Sequence, residues 1–494
     1  MVAALVSERP GEVKAEAEPQ SSFRDPQGAV LHLGDRVLRI VDQAGLAQLR
    51  TFLASSTGQK WGGRGSLVST TILSDSARLE LLRDERVSSV YAALDGEAIV
   101  EHERIPFVSF PYEWAPEMLH VAGALTVDLA LELLPESLGL KDATPLNVLF
   151  RGSQPVFVDM LSVERRDAHD PTWLPYAQFV RTFLLPLVAN RHLRMPLDQI
   201  FLTRRDGLEP EEVYRWLSPR LRMSPALLSL VSMPVWLARR HKPEDDSIYR
   251  KKLMRDPERA RFVLRSLLEG LRRKIDALAP GPTRSSAWTS YMESNNNYTA
   301  EHFAAKERFI DAFLAKYAPK RVLDVGCNTG HFSAMAARKG ASVVALDYDP
   351  EVVGAAWRRA SDEKLDILPL VVNLTRPTPA LGWRNREWPS FLDRARGRFD
   401  AVFLLAVIHH MLVTERVPLA EIAELAAELT TGYLVVEFVS PEDSMFRVLV
   451  RGRDELYNYL NESVFETAFA RKFEVLEKQH LPGASRILYL MRRR

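Results

Sequence analysis

The chain has little of what would mark several classes of protein. It contains one cysteine, Cys327, among 494 residues, which excludes an internal disulfide and is typical of a reducing compartment. Its 65 Lys and Arg balance its 64 Asp and Glu, so the overall positive field on which nucleic-acid binders rely is missing. No apolar run approaches the ~18 residues of a membrane span, and the first residues lack the order of a secretory signal. These absences predict a cytoplasmic protein without a membrane span and argue against a nucleic-acid partner.

Composition and hydrophobic periodicity divide the chain into four segments. Residues 1–22 are rich in Glu, Ala, Pro and Ser, which predicts a disordered tail. Residues 23–278 begin with short strand-like runs (AVLHL, RVLRIV, SLVSTTIL, SSVYAAL and AIVEHERI) and continue with helical patterns, which predicts an α+β domain. Pro, Gly and Ser in APGPTRSS predict a linker at 279–287. Strand-like and helical patterns alternate over 288–494, which predicts a doubly wound, Rossmann-like α/β domain with a mainly parallel sheet.

A Gly-rich turn follows the apolar run RVLDV and precedes the helical pattern HFSAMAARKG. Glycines let the backbone approach a ligand, and the following helix offers unpaired N–H donors. The spacing Gly326-x-x-x-Gly330 differs from the G-x-G-x-x-G of dinucleotide sites. Asp324 lies two positions before the first glycine, and Asp347 ends the next strand, 23 residues later, where a carboxylate can accept both ribose hydroxyls. Together these features favour a cationic nucleoside over a nicotinamide dinucleotide.

The stretch VLDVGCNTGHFS…VVALDYDPEVV is similar to the first two motifs of the class I S-adenosylmethionine-dependent methyltransferases, and the resemblance extends over 288–494. It implies S-adenosylmethionine as cofactor and methyl transfer as the activity. It assigns four residues to the methionine end of the cofactor: Asp324, Gly326, Asn328 and Gly330. It also implies that Asp347 holds the ribose and that Tyr348 packs near the adenine. Asn373 stands where many relatives have an acidic residue that binds the adenine amino group, and its carbonyl can accept the same hydrogen bond.

The strand-like run DAVFLLAVIHHML ends with His409 and His410, at the sheet edge where an acceptor should meet the methyl donor. A histidine can remove a hydroxyl proton near neutral pH, so either residue is a candidate catalytic base. The alternative is that one histidine only orients a loop or fills the core. Glu437, at the end of YLVVEFV, is another candidate polar site residue, although a charge at a strand end is often simply solvated. The absence of Asn/Asp-Pro-Pro-Tyr, typical of methyltransferases acting on amide or nucleobase nitrogen, favours a hydroxyl of a small-molecule or carbohydrate acceptor.

A second signature lies upstream, in LKDATPLNVLFRGSQPVFVDML. Asp142 and Asn147 are five positions apart, and Asp159 follows 12 residues later. This pattern resembles the H-R-D-x-x-x-x-N and D-F-G signatures of protein-kinase-like phosphotransferases. The resemblance implies that Asp142 orients an acceptor, and that Asn147 and Asp159 hold Mg²⁺ for ATP. The phosphate-holding lysine of that family has no clear counterpart, because Lys60, in TGQKWGGRG, reads as a loop; Lys60 and Arg39 are the candidate substitutes.

Several functions remain open for the whole chain. It is a methyltransferase whose kinase-like N-terminal domain binds or selects the acceptor, a bifunctional kinase and methyltransferase that also uses ATP and Mg²⁺, or a non-catalytic adaptor that keeps both folds for binding. The intact glycines and both carboxylates argue against the adaptor, and the missing lysine argues against phosphotransfer. An N-terminal domain unrelated to kinases, with the D-x-x-x-x-N arising by chance, is also open. RNA is a further acceptor, against which the near-neutral charge argues.

Overall fold

The computed structural model describes residues 27–238, 253–281 and 300–494. The predicted tail, 1–22, and most of the predicted linker, 282–287, lie outside these ranges. The described residues form two compact units. The first contains residues 27–51, 69–104 and 381–388, and the second contains the remainder.

The first unit is built on a four-stranded antiparallel sheet. Its strands are β1 (Gly28–Leu33), β2 (Arg36–Val41), β3 (Thr70–Ile72) and β4 (Ala98–His102), in the order β1-β2-β4-β3. Gly34, with φ +57°, closes the predicted β1–β2 hairpin. The helices that follow the first hairpin are α1 (Gln43–Ala54), α2 (Ser56–Gly63, in the second unit), α3 (Asp75–Leu81) and α4 (Glu85–Ala93). Alternate residues of β2 are buried with side chains of α3 and α4, which gives the unit its own core.

Two of the elements between β2 and β4 differ from the sequence prediction. The run SSVYAAL, predicted as a strand, lies mostly in α4, because Asp84 accepts the backbone N–H of Arg86 and caps a helix there. The segment TGQKWGGRG, predicted as a loop, lies mostly in α2, whose N-cap Ser55 accepts the N–H of Gly58. Capping by a short polar side chain therefore outweighed the β-branched and Gly-rich composition of these segments.

The second unit begins with a helical part that carries two small strand pairs. Antiparallel pairing joins β5 (Leu138–Leu140) to β8 (Val163–Arg165) and β6 (Val148–Arg151) to β7 (Gln154–Phe157). The long helix α5 (Pro116–Leu133) packs against these strands. The other helices are α6 (Tyr176–Phe179), α7 (Leu185–Leu193), α8 (Leu197–Phe201), α9 (Pro210–Trp216), α10 (Pro219–Arg222), α11 (Pro225–Leu227), α12 (Met233–Ala238) and α13 (Pro257–Ala277).

One helix among the described residues, Pro116–Glu136, has the length and composition of a membrane span. Its most apolar window is 61% buried inside the protein. The core helix of a globular protein has the same composition, so this is weak evidence for a span.

The rest of the second unit is organised around a seven-stranded sheet. Its strands are β9 (Arg321–Val325), β10 (Ser342–Asp347), β11 (Ile367–Val371), β12 (Phe399–Leu404), β13 (Thr430–Val439), β14 (Phe473–His480) and β15 (Arg486–Arg493). They lie in the order β11-β10-β9-β12-β13-β15-β14, and β15 pairs antiparallel with both of its neighbours. The other pairings are parallel, as predicted for a Rossmann-like sheet. Chain order reverses between β9 and β12, which is where such sheets bind ligands.

Helices cover this sheet because its central strands are apolar on both faces. They are α14 (Ala300–Tyr317), α15 (His331–Arg338), α16 (Pro350–Asp362), α17 (Phe391–Ala395), α18 (Ile408–Val413), α19 (Leu419–Leu429), α20 (Ser444–Val450) and α21 (Glu462–Ala470). Side chains from α14 and α15 form one buried core with β9, β10 and β12. The sheet and its helices are thus the doubly wound fold that the sequence predicted for the C-terminal part of the chain.

Candidate active site

The Gly-rich turn between β9 and α15 has the backbone that its sequence requires. Gly326 and Gly330 have φ of +72° and +74°, and Asn328, the residue type that tolerates this region best after glycine, has φ +48°. The N–H groups of Gly326 and Cys327 both donate to the carbonyl of Leu346, 2.8 and 2.9 Å away, which fastens the turn to β10. A Cβ on Gly326 would lie 2.4 Å from Val407 Cγ2. The turn therefore depends on glycine for both conformation and space.

A cavity of about 380 Å³ opens beside this turn, at the carboxyl ends of β9, β10, β11 and β12. Of the residues predicted to bind a cofactor, six line it: Asp324, Gly326, Asn328, Asp347, Tyr348 and Asn373. The seventh, Gly330, does not line it and instead begins α15. The structure thus brings together side chains from three strand ends that the sequence had linked only by spacing.

Asp324 lines the cavity with only 2% of its surface exposed. Its Oδ2 accepts the hydroxyl of Ser333 at 2.6 Å. Burial raises the pKa of Asp324 to about 6, although the Ser333 hydrogen bond and the charge of Lys306 both act in the opposite direction. A carboxylate kept in so apolar a place is well suited to a cationic ligand.

Asp347 ends β10 and faces the same cavity. Its Oδ2 accepts the N–H of Asn328 at 3.0 Å and its Oδ1 accepts the N–H of Asp349 at 3.1 Å. Burial raises the pKa of Asp347 to about 6 despite these two hydrogen bonds. The neighbouring Tyr348 lines the cavity and is 56% exposed, so a planar ligand group can pack on its ring.

Asn373 follows β11, and its side chain closes a turn in its own loop. The Oδ1 atom accepts the N–H of Thr375 at 3.0 Å and its hydroxyl at 2.6 Å. The side-chain carbonyl of Asn373, which was predicted to accept the adenine amino group, is therefore already hydrogen-bonded within the loop. The Nδ2 donor is what Asn373 can present to a ligand.

The two candidate catalytic histidines do not end the strand as predicted. Strand β12 stops at Leu404, and His409 and His410 lie in α18, because the chain turns at Ala406 (φ +55°). The His410 side chain lines the cavity, whereas His409 does not and is only 2% exposed. Burial lowers the pKa of both imidazoles, and their two rings lie 4.3 Å apart. Only His410 is placed to meet a ligand in the cavity.

A buried cluster of charges adjoins the cavity, and its pairing was not predicted from the sequence. Glu437, a candidate polar site residue for which simple solvation at a strand end was the alternative, is 0% exposed within β13. Its Oε2 is 2.6 Å from Lys306 Nζ on α14, and its Oε1 is 3.1 Å from Arg486 Nη1 on β15. Lys306 also lines the cavity, so the cluster places a positive charge near Asp324. The one local signal was the spacing of Phe303 and Lys306, three apart on a helix and both facing the cavity.

The residues of the upstream signature lie on two neighbouring loops of the second unit. Asp142 and Asn147 lie between β5 and β6, and Asp159 lies between β7 and β8. The N–H of Val158 donates to the carbonyl of Asn147 at 2.9 Å, which makes Asn147 and Asp159 near neighbours. Asn147 is buried, and its Nδ2 has no hydrogen-bond partner in the described part of the chain.

Lys60, the first candidate for the missing phosphate-holding lysine, has a different partner. It lies in α2 with its Nζ 2.7 Å from Glu132 Oε2 on α5. Arg39 lies on β2, in the first unit. Among the residues that the structure describes, no three His, Cys, Asp or Glu side chains are grouped as metal ligands.

A family model described as a methyltransferase domain matches residues 298–474. The magnesium protoporphyrin IX methyltransferase of Synechocystis PCC 6803, solved with S-adenosylhomocysteine, is 17% identical to this chain (TM-score 0.30). The match covers 42% of this chain and 92% of that protein. The bifunctional kinase-methyltransferase WbdD is 18% identical over 41% of either chain (TM-score 0.29).

The Rossmann-like sheet, its Gly-rich turn and the matching family model define the class of protein: the chain is an S-adenosylmethionine-dependent methyltransferase. It belongs to the family of the nodulation protein NoeA of Rhizobium meliloti (strain 1021). The two are 31% identical over 493 residues, which cover 98% of this chain and 97% of the relative.

Proposed function

We propose that the protein transfers a methyl group from S-adenosylmethionine to a hydroxyl of a small-molecule or carbohydrate acceptor. The observation that carries this proposal is the meeting of Asp324, Asp347 and His410 in one cavity beside the Gly-rich turn. Two carboxylates suit a cationic nucleoside, and a neutral imidazole suits the removal of a hydroxyl proton.

The residues around the cavity fit S-adenosylmethionine. Asp324 and the Gly326–Asn328 backbone would hold the methionine end, and Asp347 would accept both ribose hydroxyls. Tyr348 would pack on the adenine, and Asn373 would donate to a ring nitrogen through Nδ2. Gly326 supports this fit because it lines the cavity without a side chain, so its backbone can closely approach the ligand.

When bound, S-adenosylmethionine supplies a methyl group on a positively charged sulfur, which an acceptor oxygen displaces in line. His410 would orient the acceptor hydroxyl and take its proton as the oxygen–carbon bond forms and the carbon–sulfur bond breaks. The lowered pKa of His410 keeps its imidazole neutral near pH 7, in the form that accepts a proton. Phe303, Phe332 and Met411, which line the same cavity, would keep water away from the reacting atoms.

The test is to identify the acceptor without assuming it. Cell extract is incubated with methyl-labelled S-adenosylmethionine and the purified protein, and the labelled product is isolated and its methylated atom determined. We expect label on an oxygen of a small molecule or glycan. Label on protein, on RNA or on a nitrogen atom would show that the acceptor proposal is wrong. If the Asp324→Asn variant labels the acceptor as well as the wild type does, the proposed cofactor site is wrong.

A second candidate function, phosphotransfer, is favoured by the arrangement around Asn147. The paired strands β5–β8 and β6–β7 bracket the three signature residues Asp142, Asn147 and Asp159, with Asn147 next to the residue before Asp159. We propose that residues 23–278 are a kinase-like domain, joined through 279–287 to the methyltransferase domain of 288–494. In it, Asn147 and Asp159 would bind Mg²⁺ with ATP, and Asp142 would orient the phosphate acceptor.

This candidate is tested by ATP binding and hydrolysis with and without Mg²⁺. If the domain is active, Mg²⁺-dependent binding should be present in the wild-type protein and lost in Asp159→Ala. Asp167→Ala, which changes an exposed carboxylate eight residues later, is the matched control. A wild-type protein that binds no ATP would contradict the phosphotransfer proposal.

A further inference from the structure

Glu113, just before α5, and Glu117, in its first turn, are acidic side chains that pair with arginines. Both arginines come from the part of the second unit that carries the cofactor cavity. Glu113, in the turn before α5, is 0% exposed. Both of its carboxylate oxygens accept from the guanidinium of Arg394 on α17, and its Oε1 also accepts the hydroxyl of Thr378 at 2.5 Å. Arg394 donates in addition to the carbonyl of Val108. This is a fully paired, buried charge contact.

The second contact is made one turn later, between α5 and α16. Glu117 pairs with Arg358, and its carboxylate lies so close to α16 that a Cβ on Gly354 would be 2.5 Å from Oε2. Next to it, the indole Nε1 of Trp357 donates to the carbonyl of Ser153 at 3.2 Å. Helix α16 is thus held along one side by the helical part of the unit.

The held segments lead directly to the cofactor cavity. Thr378 belongs to the loop that starts at Asn373 and closes on α17 through a 3.0 Å hydrogen bond from Phe391 N to Thr378 O. Helix α16 starts three residues after Asp347, and its Ala356 packs against the Gly-rich turn, where a Cβ on Gly330 would lie 3.1 Å from the Ala356 Cβ. Both segments therefore set the position of groups that face the proposed adenine and ribose.

We propose that Glu113 and Glu117 are positioning residues that set the affinity for S-adenosylmethionine, by holding the Asn373–Thr378 loop and α16 in the geometry that binds it. The proposal rests on the cofactor site described above. A preformed site binds more tightly because the ligand does not have to order its loops. It also gives the helical part of the unit a function that does not depend on phosphotransfer.

The test compares S-adenosylmethionine binding by calorimetry in the full-length protein and its variants. Glu113→Gln and Arg358→Met should each weaken binding about tenfold. Arg358→Lys should bind S-adenosylmethionine within about twofold of wild type, because an ammonium can also pair with the Glu117 carboxylate. Lys472→Met, which removes an exposed ion pair with Glu424 on the same unit, should leave affinity unchanged.

Hydrogen exchange separates a positioning role from general loss of stability. We expect Arg358→Met to increase exchange in residues 350–362, Glu113→Gln to increase it in residues 373–380, and β13 to stay protected in both. Increased exchange throughout the sheet, or wild-type affinity in Arg358→Met, would overturn the proposal even if Glu113→Gln fails to fold. If Asp324→Asn abolishes binding and Arg358→Met leaves affinity unchanged, the cofactor site is supported and the positioning role is wrong. If the wild-type protein does not bind S-adenosylmethionine, both the cofactor site and the positioning role are wrong.

Discussion

Asp324 and Asp347 occupy places where a charge is costly. Burial raises the pKa of each to about 6, in spite of hydrogen bonds that favour the ionised form. Structural carboxylates usually have a lowered pKa, and a raised one in a cavity is a common mark of a functional site. The two charges therefore destabilise the ligand-free protein, as is expected of groups whose interactions a ligand completes.

Cofactor affinity should depend on pH because ionised Asp324 attracts the positive charges of S-adenosylmethionine and ionised Asp347 is the stronger acceptor for its ribose hydroxyls. As the pH falls through about 6, each carboxyl takes up a proton and its interaction with the cofactor weakens. The dissociation constant for S-adenosylmethionine should be lowest above pH 7 and should rise about tenfold per pH unit below 6 for each carboxylate involved. Calorimetric titration from pH 5 to 8 measures this, and a flat profile would contradict it.

Asp324→Asn should abolish S-adenosylmethionine binding and yet stabilise the ligand-free protein at pH 7.5. The folded-state pKa lies above the unfolded value of 3.8, so the contribution of Asp324 to stability is present at low pH and lost as the pH rises through about 6. Removing this charge should add up to about 3 kcal/mol at pH 7.5. Thermal unfolding at pH 7.5 and 4 checks the sign, since the gain should shrink at the lower pH. An equal gain at both values would mean that desolvation of the charge is not the cause.

The two adjacent histidines should behave differently when changed to alanine. His410→Ala should lower kcat about 100-fold and leave S-adenosylmethionine affinity intact, because His410 faces the cavity and would act as the base. His409→Ala should mainly lower the unfolding temperature, since it empties space in the core. Kinetics on the identified acceptor, with unfolding curves for both variants, distinguish them. The reverse pattern would assign the base to His409.

At the scale of elements, the turn between β9 and α15 should tolerate no side chain at Gly326. Gly326→Ala would bring a Cβ to 2.4 Å from Val407 Cγ2 in a backbone with φ +72°, so cofactor affinity should fall at least tenfold. Binding measurements on the variant check this.

Two further variants separate the causes of that loss. Adding Val407→Ala should recover part of the affinity, because it removes the clash but leaves the backbone strain. Gly62→Ala, on α2 where nothing lies within 4 Å of the new Cβ, is the matched control and should bind as wild type. Full recovery in the double variant would mean that the positive φ costs nothing.

At the scale of the whole molecule, the C-terminal sheet should not be independent of the helical part. A fragment of residues 288–494 lacks Glu113 and Glu117, and it exposes Phe391 and Phe399, whose rings pack against Phe107 at 5.8 and 6.1 Å. It should unfold at least a few degrees below the full chain and self-associate. Thermal unfolding and size-exclusion chromatography test this, and a monomeric fragment as stable as the full chain would show that the predicted domain boundary also separates two folding units.

Much of the sheet and of the cofactor turn could be predicted because their signals are local. Apolar runs separated by helical patterns predicted the doubly wound sheet. Asp324, Gly326 and Asp347 lie within 24 residues, on two paired parallel strands and the turn that follows the first of them. The wrong predictions for α2 and α4 also have a local cause. Ser55 and Asp84 cap these helices, but the composition of the segments after them is not typical of helices. The helix that contains His409 and His410 depends on a turn at Ala406, where the backbone has a positive φ that alanine does not predict.

Spacing along the chain specifies a motif wherever the interacting groups are joined by a few residues of regular backbone. The charge pairs behind and beside the cavity are of another kind: Lys306 and Glu437 are 131 residues apart, and Glu113 and Arg394 are 281 apart. Such pairs form only when separate elements pack together, and burial then makes each charge require its partner. For this reason the cofactor class could be inferred from the amino-acid order, whereas the support that holds the site in shape became visible only in three dimensions.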